Sequence, residues 1–240
     1  MATNTNVLKK AFDIKLFWAT AFLFPVFIFI GFSRTYYIGY FYDAPAFKDL
    51  IVHSHGIVMT AWVLFFSLQI ALIRTKNVKL HMTLGLFGIG LAALVMISGL
   101  VTLYNGVFIK GGDVNGTDPR SFAIIPFTSL IIFIILFAVA IFYRKKPLEH
   151  KSLMFLTAIN FLPFGFSRMA FIPEAIRILW AFGAPFLLAT LAFALIWWKY
   201  KKFSKPFALG LILLYLSVPF RLIFMESTRW INFVDLFAPR

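Results

Sequence analysis

Seven apolar stretches, each long enough to cross a bilayer, dominate this chain: 14–32, 50–73, 80–104, 122–143, 148–170, 176–198 and 206–225. About 30 Å of hydrocarbon takes about 20 apolar residues in α-helix, and a helix satisfies its own backbone polar groups where no water can. The expected fold is all-α: a polytopic membrane protein with seven transmembrane helices, formed as a single integral membrane domain over 1–240. Composition agrees, since 61% of the residues are hydrophobic and only 13% charged, against about one half and one quarter in soluble domains. The first stretch does not read as a cleavable signal, because its apolar run is too long and no small-residue cleavage site precedes Arg34-Thr35-Tyr36-Tyr37.

Charge on alternate connections orients these spans. One side collects Lys9, Lys10, Lys15, Arg74, Lys76, Lys79, Arg144, Lys145, Lys146, Lys151, Lys199, Lys201, Lys202 and Lys205 against Asp13 and Glu149. The other collects nine basic residues, Arg34, Lys48, Lys110, Arg120, Arg168, Arg177, Arg221, Arg229 and Arg240, against seven acids. The sides therefore carry +12 and +2 of the formal +14, which puts the N-terminus in the cytoplasm and the C-terminus outside. Trp18, Trp197, Trp198 and Tyr200 fall at the inner boundary, and Tyr36, Tyr37, Tyr40, Tyr104 and Trp230 at the outer one, as interfacial aromatics do. The expected location is a bacterial inner membrane. The basic surplus then means topology and attraction to anionic lipid, not nucleic acid.

Several chemistries are set aside. The chain has no cysteine, so disulfides, thiolate metal sites and cysteine nucleophiles are excluded. Span seven carries no interior lysine for a retinal Schiff base, and every Asp and Glu lies at or beyond a boundary, which argues against a proton or ion pump. The outer connection Asn105 to Arg120, with its Gly-Gly-Asp-Val-Asn-Gly-Thr-Asp-Pro run, reads as a loop of turns lacking the regular acids of a calcium site. Gly85, Gly88 and Ala92 in span three read as small residues for close helix packing. Gln69 and Asn160 read as amides that join helices.

The four histidines carry the functional argument. Spans two and four each end in a basic turn followed by a histidine, Arg74-Thr-Lys-Asn-Val-Lys-Leu-His81 and Arg144-Lys-Lys-Pro-Leu-Glu-His150. With Asn77 as N-cap and Pro147 at the first helical position, each histidine is the fourth residue of its helix, about one turn inside the cytoplasmic boundary. Two such hairpins form a four-helix bundle with the imidazoles at matching depth, a geometry suited to bis-imidazole ligation of haem b. Contact with lipid phosphate, or plain solvation, remains the other reading of the pair. In Asp49-Leu-Ile-Val-His53-Ser-His55-Gly56, a separation of two residues turns about 200° on a helix, so at most one of His53 and His55 faces a given site unless the helix is distorted at Gly56, and a zinc site there needs ligands from elsewhere.

At outer depth, His53 or His55 with Tyr37, Arg168 beyond the Pro163/Gly165 break and Arg221 after Pro219 are candidates for a cationic pocket, the alternative being separate interfacial anchors. Two functions follow. In the first, the protein is a membrane protein with a redox role that binds b-type haem, with His81 and His150 as ligands, or a quinone, the role resting on this pair and the outer His/Arg cluster, with a quinone or another membrane subunit as partner. Alternatively it is a non-enzymatic accessory subunit or carrier that binds an anionic lipid or small molecule in the outer pocket. No residue is assigned a catalytic role.

The run His53-Ser-His-Gly-Ile-Val-Met-Thr-Ala-Trp62, with Gln69, Arg74, Lys79-Leu-His81, Leu84-Gly85, His150-Lys-Ser-Leu-Met-Phe-Leu-Thr157 and Arg168, resembles a group of uncharacterised bacterial seven-span membrane proteins. Arg34-Thr-Tyr-Tyr37 and Pro219-Phe-Arg221 fit the same pattern, so the likeness covers most of the chain. More distantly, His53 with Met59, the basic turn and Lys79-x-His81 are similar to the early core of ascorbate-reducing b-type cytochromes, whose four helices hold two haems between paired histidines. That resemblance implies His81 and His150 as the inner pair. It implies no outer pair, because span four offers His53 or His55 no histidine.

Overall fold

The computed structural model describes residues 19–42, 49–112 and 116–239. The expected start of span one, with Lys9, Lys10, Asp13, Lys15 and Trp18, lies outside the described residues, as do Asp43, Lys48, Asp113 and Arg240. Seven long helices follow one another: α1 Ala19–Tyr37, α2 Leu50–Arg74, α3 Val78–Tyr104, α4 Pro119–Phe142, α5 Pro147–Phe166, α6 Arg177–Tyr200 and α7 Lys205–Phe224. A short amphipathic helix, α8 Thr228–Asp235, closes the chain. All of these long helices except α5 are apolar enough, by length and composition, to cross a membrane.

α5 differs because of where it sits. Fourteen of its 20 residues are buried, whereas α3, of 27 residues, buries only Gly88, Ala92, Val95 and Gly99. α5 packs on α4, α6 and α7, with Leu153, Leu156 and Ile159 almost wholly covered. α1 crosses it where Gly31 meets the Gly165 backbone so closely that a Cβ on Gly31 would overlap the Gly165 carbonyl. A helix wrapped by protein has no need to be apolar all round, so α5 can carry Glu149, His150, Lys151, Thr157 and Asn160.

The α2–α3 hairpin stands against α4. Trp62 inserts edge-on to Phe133, with ring centroids 5.0 Å apart, and a Cβ on Gly88 would press on the Phe65 ring. Gly85, by contrast, faces open space, so of the small residues expected to tighten span three only Gly88 and Ala92 are at a contact. Asn160 does join helices, donating to the Ser129 carbonyl at 2.9 Å.

Helix starts follow the expected chemistry with one exception. The Asp49 carboxylate accepts from the Ile51 and Val52 amides, and Pro147 opens α5, but Asn77 makes no capping bond and turns its amide to Thr75. The supposed loop from Asn105 also needs correction. Asn105–Lys110 continues α3 as a wider π-type turn, held because Asn105 donates to Asp49 at 3.1 Å and Lys110 pairs with the same carboxylate. Beyond it, Gly111, Gly112 and Gly116 take positive φ.

Candidate functional site

His81 and His150 are each the fourth residue of their helix, on α3 and α5, and the bundle brings them together. Their ring centroids are 6.4 Å apart and the planes cross at 78°. His150 Nδ1 lies 2.8 Å from the Ala140 carbonyl near the C-terminus of α4. A carbonyl only accepts, so Nδ1 carries the proton and Nε2 of the neutral ring keeps its lone pair. This is the arrangement by which backbone carbonyls orient imidazoles that bind metals. It also satisfies one of the carbonyls that the end of α4 leaves without a helical partner.

The surroundings of His81 are unusual in another way. Its Nδ1 is buried without a hydrogen-bond partner, as are both amide atoms of Gln69 and the hydroxyls of Ser67 and Ser152. The Gln69 backbone carbonyl interacts with the His81 ring, so α2 and α3 meet at this level. Buried polar atoms are nearly always satisfied. His81 and Gln69, whose backbone meets the His81 ring, are among the exceptions here. Gln69 was expected to join helices, and its unanswered amide instead falls at the histidine end. Below this level, Glu149 is buried at 8% exposure and pairs with Lys202 at 3.2 Å.

The candidates at the other end occupy several separate places. His53 faces α1, where the Tyr36 hydroxyl lies 3.4 Å from Nδ1 and donates to the His53 carbonyl at 3.2 Å. Gly56 makes this approach possible, since a Cβ there would strike the Tyr36 ring. His55 points away from His53, to Ser98 of α3 at 3.0 Å. Tyr37 meets Thr60 at 3.1 Å. Arg221 is only 5% exposed, lies in the α4–α7 interface and donates to Thr128 at 2.7 Å and Ser129 at 2.9 Å. Arg168 donates to the Phe164 carbonyl at 2.7 Å and stacks on Phe32. Arg168 lines a cavity of about 270 Å³ together with Ile30, Ser33, Arg34, Met169, Ala170 and Phe171.

Outside the spans, Lys110 holds the Asp49 carboxyl below the usual carboxylate range, helped by the α2 amides, and Arg120 does the same to Asp118. Among the described residues, no group of three or more His, Asp or Glu gathers to form a metal cluster. Comparison with protein-family models, curated proteins and solved structures finds no match, so the reading rests on the geometry of the site itself.

Proposed function

We propose that this is a seven-span protein of a bacterial inner membrane, N-terminus in the cytoplasm, that binds one b-type haem between His81 and His150 and serves a redox role. α5 is the seventh span in this reading, its polar residues sheltered by the helices around it. The observation that carries it is the His81–His150 pair: two imidazoles with ring centroids 6.4 Å apart, one with its proton already committed to a backbone carbonyl.

Imidazole is a common ligand of haem iron, and His81 and His150, with ring centroids 6.4 Å apart, are the residues that would hold it. When bound, the haem iron would supply one-electron oxidation and reduction. The chain's part is to orient His150 through Ala140 and to bring His81 to the same level of the bundle. A quinone or a second membrane subunit is the proposed electron partner.

The test is a visible spectrum of the purified, haem-reconstituted protein. A Soret band with low-spin features is expected in the wild type and is lost in both His81→Ala and His150→Ala. No haem uptake by the wild type, or low-spin haem persisting in both variants, would end this assignment.

A further inference from the structure

The cavity between the end of α1 and the turn after α5 lies at the opposite end of the bundle from the histidine pair and takes no part in the haem reading. Its walls come from Ile30, Ser33 and Arg34 on one side and Arg168, Met169, Ala170 and Phe171 on the other. Two guanidinium residues line it and, among the described residues, no carboxylate does. Arg168 is fixed by its bond to the Phe164 carbonyl and by the Phe32 ring 4.8 Å away, and among the described residues no carboxylate lies within 4 Å of it. The closest acid along the chain, Glu174, is turned to Arg177.

The backbone N–H groups of Ala170 and Phe171 bond to no acceptor among the described residues. The Ser33 hydroxyl gives its proton to the Ile30 carbonyl at 2.8 Å, so recognition falls to the guanidiniums and these amides. Guanidinium forks match the oxygens of phosphate, and charge-assisted bonds of this kind are the strong ones. Ile30 and Phe171 present exposed apolar surface at the same cavity, where acyl chains would lie.

We propose that this cavity binds a phosphate group, with Arg168 and Arg34 as its cationic walls. The phosphate can belong to an anionic lipid headgroup or be free in solution, and the two sources are separable. Delipidated full-length protein is offered phosphatidylglycerol against phosphatidylcholine and read by native mass spectrometry. In parallel it is titrated with inorganic phosphate and read by calorimetry. The wild type is expected to bind at least one probe, and Arg168→Gln and Arg34→Gln each weaken it about tenfold. Lys145→Gln, at the far end of the bundle, leaves binding unchanged and so separates the site from the general basic charge.

Preference for phosphatidylglycerol alone identifies a lipid site, response to phosphate alone a solute site, and both together a site for the phosphate group itself. If Arg168→Gln fails to fold, Arg34→Gln decides. Absence of binding to either probe in the wild type, or equal loss in Lys145→Gln, overturns the proposal.

Discussion

At the Asp49 end of the bundle, polar side chains answer one another: Tyr36 with His53, His55 with Ser98, Tyr37 with Thr60, Arg221 with Thr128 and Ser129, and Asp49 with Asn105 and Lys110. At the His81 end, Ser67, Gln69, His81 and Ser152 hold buried polar atoms that no described residue satisfies. Trp62 near the middle of α2, and Thr102 and Trp180 at the first end, are further cases, so the contrast is one of concentration. A closed network holds helices in register. An open one keeps donors and acceptors for something that arrives later.

That contrast predicts opposite signs for substitutions at the two ends. The largest effect belongs to Arg221→Ala, which removes a buried side chain and deprives two hydroxyls of their partner. It should lower stability by about 3 kcal/mol in denaturant unfolding of the detergent-solubilised protein. A change near zero would mean that the closed network does not hold the bundle. Gln69→Leu, at the open end, should instead stabilise the ligand-free protein by about 1 kcal/mol, because it removes unsatisfied buried polar atoms, while weakening haem retention. A loss of stability comparable to that of Arg221→Ala would erase the contrast.

Lys202→Met tests the rim of the open end. Its partner Glu149 is buried but Lys202 itself is 64% exposed, so the change should stay below about 1 kcal/mol in the same unfolding experiment. The smallest effect is one of pH. The folded-state pKa of Asp49 is depressed, so its stabilising contribution is complete above the ordinary carboxylate value and is lost as pH falls through the lower folded value. Melting temperatures measured at pH 7, 5 and 3 should drop more in the wild type than in Asp49→Asn, and only in the most acidic step. Equal drops would show that the Asp49–Lys110 pair contributes nothing to acid sensitivity.

The helices were largely legible in the sequence because lipid imposes a length and a composition together. Span boundaries at 50–73 and 206–225 compare with Leu50–Arg74 and Lys205–Phe224. Placing each histidine fourth in its helix needed only a cap or a proline, and both His81 and His150 are there. What could not be read was anything decided across helices. The pairing of His150 with Ala140, the burial of Arg221 against α4, and the difference between Gln69 and Asn160 all depend on which helix faces which. α8 was missed because eight amphipathic residues after Ser227 are too short to register beside seven long apolar runs. The continuation of α3 through Asn105–Lys110 was hidden for a related reason, since Asp49, far away in sequence, supplies the bonds that hold it.

During synthesis each span leaves the ribosome before its later neighbours exist. α5 brings Glu149, His150, Lys151 and Asn160, and a charged residue costs about 2.5–3.5 kcal/mol at the centre of an inserting helix. Its charges sit in the first two turns, which lessens the cost, and α4 is already in place to accept Asn160 and His150. In the proposed topology the central helix therefore enters the bilayer as half of a hairpin, and its settled position waits for α6 and α7 to follow. The residue types that make the middle of the bundle chemically useful also make its assembly depend on the order in which the chain is made.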